Sequence, residues 1–242
     1  MARNLAYDWN SFDSEDYLRH NYATLRDDDR QILQILRDFF CRQSFDPGVR
    51  GVDVGTGTNL YPALAMLPFC RSVSMLEYSE ANIGWLRRQV LGYSANWDGF
   101  WRVLTEQQVY CGVPEPRDRL RLRADIRKWN ILQDDTGERW DVGTMFFVAE
   151  SITSDWAEFS AALIRFCQLL RPGAPFVVAF MEHSSGYAVG GRRFPALSVD
   201  ADDIEIQLSS LGNDLAVYRF GIGDAPLRSG YSGMLLAHGY VK

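Results

Sequence analysis

Val52-Asp53-Val54-Gly55-Thr56-Gly57-Thr58-Asn59-Leu60-Tyr61, followed after a short apolar stretch by Val73-Ser74-Met75-Leu76-Glu77-Tyr78-Ser79-Glu80-Ala81-Asn82, is the part of this chain that decides its fold. The first block reads as a strand, a glycine turn and the start of a helix. The second reads as another strand ending on an acid, then a helix with Ser79 as its N-cap. Gly57 and Glu77 stand 20 residues apart. That interval puts a carboxylate at the end of the second strand, where it can accept from the two hydroxyls of a ribose. The pair predicts an adenosine-type cofactor at the carboxyl ends of a parallel sheet. A glycine turn without a ligand is the weaker reading.

A dinucleotide site needs G-x-G-x-x-G, so that a pyrophosphate lies on a helix N-terminus and the helix packs tightly on the strand. Leu60 occupies the third glycine position here, and no lysine follows as a P-loop demands. S-adenosylmethionine carries no phosphate. It needs close backbone approach beside its methionine part and an acid for its ribose, and D-x-G-x-G with an acid 20 residues on meets both needs. S-adenosyl-L-methionine is therefore the expected cofactor, with a nicotinamide cofactor as the alternative.

Outward from these blocks, strands alternate with helices. The expected fold is α/β: a Rossmann-like, doubly wound, mostly parallel seven-stranded sheet with an antiparallel last strand and an N-terminal helical cap. One domain is expected over 1–242, with the cap at 1–45 and a helical and loop insertion at 92–118. A helix start falls at Asp13, and a later helix carries Ile32, Leu33, Leu36, Phe39 and Phe40 on one face. Further strands are predicted at Leu120–Ala124, Asp141–Val148 and Phe176–Met181. A helix runs from Asp155 to Leu170, stopped by Arg171-Pro172-Gly173. The tail adds a short helix near 200–211 and strands at Ala216–Phe220 and Met234–His238. The dozen residues between those strands, with Gly221, Gly223, Pro226 and Gly230, are too few for a helical crossover, hence the antiparallel last strand.

The 242 residues suit one α/β domain, and 47% hydrophobic with 23% charged residues is a globular composition, not a disordered one. No apolar run is long enough to span a bilayer, and the N-terminus lacks a signal-peptide core, so a cytoplasmic protein without membrane association is expected. Cys41, Cys70, Cys111 and Cys167 are scattered and expected reduced. His20, His183 and His238 lie too far apart in sequence to suggest a metal site. A net charge of −6 argues against nucleic-acid binding. Arg117, Arg119, Arg121, Arg123, Arg127 and Lys128 run against that charge. Their alternation with Leu120, Leu122 and Ala124 has the period of a half-buried strand, whose charged face is read as solvated; a patch for an acidic substrate or partner is the functional alternative.

Four segments together resemble the class I S-adenosylmethionine methyltransferases, and more closely the family of nicotinamide, phenylethanolamine and indolethylamine N-methyltransferases. Asp16-Tyr17-Leu18-Arg19-His20-Asn21-Tyr22 resembles the family's D-Y-L-x-x-Y-Y segment, which closes over the cofactor. Asp53 to Tyr61 resembles D-I-G-S-G-P-T-x-Y, and Glu77 to Asn82 resembles D-Y-S-D-x-N. Leu169-Leu170-Arg171-Pro172-Gly173, with Ser184, Ser185 and Tyr187 beyond, resembles L-L-K-P-G followed by S-x-x-Y. The resemblance implies that Gly55, Thr56 and Gly57 lie against the cofactor, Gly55 near its methionine part. It also implies that Tyr17, Tyr22 and Tyr61 hold the cofactor carboxylate, that Glu77 holds the ribose, and that Tyr78 stacks at the adenine with Asn82 nearby. Asp125 and Ile126 would flank the adenine, and Phe147, at the end of the fourth strand, would be a further contact. Thr58 stands where the family has Pro, Glu77 where it has Asp, and Asn21 where it has one of the paired tyrosines. The acid some members use to hold an amine falls near His183 and Ser184 here, so the substrate pocket does not carry over.

Methyl transfer from a sulfonium is an in-line displacement for which alignment and a dry site supply most of the acceleration. A neutral aromatic nitrogen needs no base, whereas an aliphatic amine must first lose a proton. Glu150, His183 and Tyr187 are the candidates for acid–base or catalytic contact, and Tyr17, Glu150, His183, Ser184 and Tyr187 for acceptor binding. The expected activity is S-adenosylmethionine-dependent methyl transfer to a small-molecule acceptor, at a nitrogen of an amine or heteroaromatic compound. The alternatives are O- or C-methylation, or a cofactor-binding inactive homologue. A monomer or homodimer is expected.

Overall fold

The computed structural model describes residues 3–221, 227 and 230–242. Its centre is a seven-stranded sheet built from β1 (Arg50–Val54), β2 (Ser72–Glu77), β3 (Ala124–Lys128), β4 (Val142–Phe146), β5 (Pro175–Glu182), β8 (Gly212–Gly221) and β9 (Gly233–Val241), in the spatial order β3-β2-β1-β4-β5-β9-β8. β3, β2, β1, β4 and β5 pair in parallel, and β9 runs antiparallel to both β5 and β8. The order reverses between β1 and β4. At that point chain crossovers leave to opposite sides, and a crevice opens at the carboxyl ends of the strands.

Helices cover the sheet for reasons visible in their spacing. In α2 (Asp27–Cys41), Ile32, Leu33, Leu36, Phe39 and Phe40 recur at helical period and all are buried. They share one core cluster with α3 (Tyr61–Met66), α4 (Glu80–Gln89) and α5 (Trp97–Leu104), through Leu64, Trp85 and Phe100. A second cluster gathers Phe159, Leu163 and Phe166 of α8 (Trp156–Gln168) and Ile204 and Leu208 of α9 (Ala201–Ser209). Burying each such side chain contributes about 1.5–3 kcal/mol. The helix starts are capped as expected. Asp13 accepts from the Asp16 amide at the start of α1 (Ser14–Tyr22), Ser79 from the Asn82 amide, and Asp155 from the Ala157 amide.

The arginine-rich stretch departs from its sequence reading. Pro116–Arg123 is a helix, α7, and β3 begins only at Ala124, four residues beyond the predicted start. Pro116 sits in its first turn, where a missing N–H costs nothing. Leu120 alone is buried, while Leu122 is exposed, so the alternation did not report a sheet face. Residues 92–118 also hold the short helix α6 (Gln108–Cys111). A small hairpin, β6 (Tyr187–Val189) with β7 (Arg192–Phe194), joins β5 to α9 and turns at Gly190 and Gly191, both at positive φ. β8 and β9 are longer than expected, and Gly223 and Pro226 of their connection lie outside the described residues.

Candidate active site

The glycine turn at the end of β1 requires its glycines. Gly55 has φ of +65°, and a Cβ there would stand 2.5 Å from Val148 Cγ2. Its amide donates to the Leu76 carbonyl at 2.7 Å, which locks the turn against the end of β2. Gly57, φ +54°, donates its amide to Glu77 Oε2 at 2.8 Å, while Ser79 N donates to Glu77 Oε1 at 2.7 Å. Burial raises the Glu77 pKa, and these amide bonds oppose the rise. Beneath the turn, Asp53 is buried and accepts from Thr144 Oγ1 at 2.6 Å; desolvation pushes its carboxyl up to about 7.

Phe147, just after β4, adopts φ of +59°, a strained conformation for a bulky residue and one expected beside a functional cleft. Gly55, Gly57, Glu77, Tyr78, Asn82 and Phe147 all line a cleft over the carboxyl ends of β1 to β4, and Tyr17, Tyr22 and Tyr187 close it from above. The N-terminal residues are tied across it. Ser79 Oγ donates to the Trp9 carbonyl at 2.7 Å, and Ser14 Oγ to Asn82 Oδ1 at 2.8 Å. Phe194 of the β6–β7 hairpin stacks among Trp9, Phe12 and Tyr187, with ring centroids 5.1–5.6 Å away. The N-terminal segment and the hairpin thus form one aromatic roof.

Other sequence candidates lie off this cleft. Tyr61 is fully buried; its hydroxyl donates to Asp29 Oδ1 at 3.3 Å, and its ring stacks on Phe100. Thr56 donates its hydroxyl to the Asp53 carbonyl within the turn. Asp125 and Ile126 sit inside β3, in register with Ser74 and Met75, and Asp125 pairs with Arg127 at 2.6 Å. Their expected place is corrected by the later start of β3: the residues at its carboxyl end that line the cleft are Trp129, Asn130 and Ile131. His183 is exposed, with Nδ1 2.7 Å from Ser232 Oγ, and does not line the cleft. Ser184 is buried. Glu150 is buried next to the cleft residue Ser151, and its Oε1 accepts from Ser151 Oγ at 2.9 Å and from Met181 N at 3.1 Å.

The sequence reading missed Asn59, Asn130 and the roof residues Asn4, Trp9 and Phe12, all of which line the cleft. Asn59 follows the glycine turn directly, which was a usable signal. Asn130 was hidden by the misplaced strand. Each of these two asparagines anchors the backbone with its Oδ1, to the Tyr61 and Leu132 amides, and leaves its buried Nδ2 without an acceptor among the described residues. With Trp129 Nε1, which also lines the cleft without an acceptor among the described residues, these buried donors would be satisfied by a ligand that brings acceptor atoms. Glycines allowing close approach, a carboxylate fixed by two amides, and such donors fit a nucleoside carrying a carboxylate, as S-adenosylmethionine does.

The sequence model of the NNMT/PNMT/TEMT family matches residues 4–225. Phenylethanolamine N-methyltransferase of Macaca mulatta is 24% identical, over 90% of this chain and 84% of its own length. Nicotinamide N-methyltransferase of Sus scrofa is 22% identical, over 83% and 81%. Among solved structures, the N-methyltransferase NodS from Bradyrhizobium japonicum WM9, in complex with S-adenosyl-L-homocysteine, superposes with a TM-score of 0.54 at 13% identity, covering 95% of this chain and 99% of its own. The Burkholderia thailandensis 1,6-didemethyltoxoflavin-N1-methyltransferase gives 0.54 at 14% identity, over 89% and 80%. The family match spans the N-terminal roof, the glycine turn, the Glu77 strand end and the hairpin, the same parts that build the cleft, and the chain belongs to the NNMT/PNMT/TEMT family.

Proposed function

We propose that this protein transfers the methyl group of S-adenosyl-L-methionine to a nitrogen of a small-molecule acceptor, an enzyme of class EC 2.1.1. The observation that carries this reading is the Glu77 carboxylate held by the Gly57 and Ser79 amides at the junction of β1 and β2. The named relatives, which methylate nitrogen, support the choice of nitrogen over oxygen or carbon.

When bound, the cofactor supplies an electrophilic methyl on a sulfonium. The chain supplies the rest. Glu77 would accept from ribose hydroxyls at the strand end, where the Gly57, Ser79 and Tyr78 amides and the Asn82 side chain fix its carboxylate. Asn130 and Asn59 offer their Nδ2 groups at the two sides of the turn. Tyr78 and Trp129 flank the adenine side, and Tyr17 and Tyr22 the amino-acid side. Tyr17 and Tyr187 meet edge to face at 6.2 Å, where the acceptor ring would be aligned. The aromatic roof excludes water, so alignment in a dry cleft supplies about 7–11 kcal/mol of the barrier. Where the acceptor nitrogen carries a proton to be lost, Glu150, buried and next in sequence to the cleft residue Ser151, is the candidate to receive it.

No described helix is long and apolar enough to cross a membrane. The four cysteines are free, which suits a reducing cytoplasm, and the charge of −6 suits a small acceptor over nucleic acid. Calorimetric titration with S-adenosylhomocysteine, with NADH as control, tests the reading. Micromolar binding of the first alone supports it, and binding of NADH instead overturns it. Screening amines and heteroaromatics with labelled methyl donor then finds the acceptor.

A further inference from the structure

Behind the Tyr17–Tyr187 pair lies a second cleft, which shares those two rings with the first and is bounded also by Asp16, His20, Asn21 and Arg193. Its polar groups are not equivalent. Asp16 is engaged at both oxygens: Oδ2 accepts from the Gly190 amide at 2.8 Å, and Oδ1 takes Arg19 at 3.2 Å, whose guanidinium offsets its charge. His20 Nε2 is bonded to the Leu227 carbonyl at 3.0 Å. Asn21 is 4% exposed; its Nδ2 donates to the Tyr17 carbonyl at 2.8 Å, and its buried Oδ1 has no donor among the described residues. Arg193, on β7, pairs with no carboxylate of the described residues, whereas its neighbour Arg192 has Asp8 at 4.0 Å. The second cleft therefore presents two flat aromatic walls, one buried acceptor atom lacking a donor, and one uncompensated guanidinium.

Resting on the methyl-transfer reading above, we propose that this second cleft receives the acceptor, and that the acceptor is a planar aromatic or heteroaromatic amine bearing a carboxylate, which Arg193 holds. The rings of Tyr17 and Tyr187 stack or edge against a planar molecule. Asn21 Oδ1 accepts from its N–H, which satisfies the one buried acceptor left over. The planar fork of Arg193 matches a carboxylate in two parallel hydrogen bonds, and it sits on the outer side of the cleft, away from the methyl donor.

The test uses isosteric pairs, 2-aminobenzoate against 2-aminobenzamide and nicotinate against nicotinamide, titrated into the full chain saturated with S-adenosylhomocysteine. The carboxylate member of at least one pair is expected to bind about tenfold more tightly, the scale of one charge-assisted contact. Arg193→Gln should erase that preference while S-adenosylhomocysteine affinity and the melting temperature stay unchanged, and raised salt should weaken the carboxylate alone. Asn21→Ala should weaken both members of the pair equally. Carboxamides that bind as well as carboxylates, a preference that survives in Arg193→Gln, or no binding by any member although S-adenosylhomocysteine binds would each overturn the proposal and leave the cofactor reading standing. Failure of S-adenosylhomocysteine to bind would overturn both.

Discussion

Glu77 and Gly57, 20 residues apart in sequence, meet through a 2.8 Å hydrogen bond from the glycine amide to Oε2 of the acid. The bond couples the glycine turn to the end of the next strand, so a ligand that contacts one contacts both. Glu77→Gln swaps one acceptor oxygen for an NH2 that cannot accept from the Gly57 or Ser79 amide. Leaving such a buried group unpaired costs about 1–3 kcal/mol. S-adenosylhomocysteine affinity should fall by roughly tenfold or more in calorimetry. Wild-type affinity in the variant would remove Glu77 from the binding account.

The Gly55 turn makes a second, steric prediction. Gly55→Ala places a methyl 2.5 Å from Val148 Cγ2 at a φ of +65°. Overpacking and left-handed strain each cost about 1–3 kcal/mol, so the melting temperature should drop. Adding Val148→Ala removes the two closest contacts and leaves Cβ at 3.2 Å and the strain in place. The double variant should recover part of the loss, and equal melting of single and double variants would show that the contact carries none of it.

Asn130 permits a cleaner separation of structure from binding. Asn130→Asp keeps the oxygen that accepts from the Leu132 amide at 2.9 Å and deletes the donor that lies in the cleft. The new carboxyl is buried beside Asp134, so melting should fall at neutral pH and recover in acid as the group takes up a proton, while S-adenosylhomocysteine affinity at neutral pH falls about tenfold or more. A variant that melts early yet binds normally would make Asn130 a loop anchor only.

That asparagine also marks where the sequence stopped being legible. The glycine turn, Glu77 and Ser79 were readable because their roles are backbone roles, fixed by φ, spacing and capping. The order of strands followed from helices intervening between apolar runs. Arg117 to Ala124 was misread because Leu120 and Leu122 look alike in sequence, and only packing against the sheet buries one and exposes the other. The end of β3 lies four residues later than predicted, at Lys128, and Asn130 and Ile131 line the cleft, whereas the resemblance implies Asp125 and Ile126 beside the adenine. Tyr61 looked like a ligand contact in its motif, yet the rings of Tyr22, Phe100 and Phe146 enclose it, a long-range fact that spacing does not encode. The β6–β7 hairpin was signalled by Gly190-Gly191 between short strands, and that signal passed unused.

His238 predicts an acid limb of stability. It lies against Phe39, with ring centroids 4.1 Å apart, and desolvation lowers its pKa to about 4, aided by Arg42. The fold favours the neutral ring, so this group imposes no penalty above pH 6.5, the ordinary value. The penalty grows as pH falls from 6.5 towards 4. His238→Gln should flatten the melting temperature over that window. Unchanged acid sensitivity would assign the limb to other groups.

Asp29 predicts the opposite limb. Its carboxyl is buried, and desolvation first, then the charge of Asp28, push it up to about 8; the Tyr61 hydroxyl and Arg26 act the other way. Because the folded chain holds this proton more tightly than the unfolded one, the stabilisation is complete below the ordinary 3.8 and is lost as pH rises through about 8. Asn at this position keeps an oxygen for the Tyr61 hydroxyl and carries no charge at any pH. Asp29→Asn should therefore melt higher than wild type at pH 8, by about 2–4 °C for each kcal/mol relieved, and the gap should close towards pH 4. Thermal melts of the two proteins across that range decide the matter. Parallel curves would mean that Asp29 ionises without strain and that the raised carboxyl plays no part in stability.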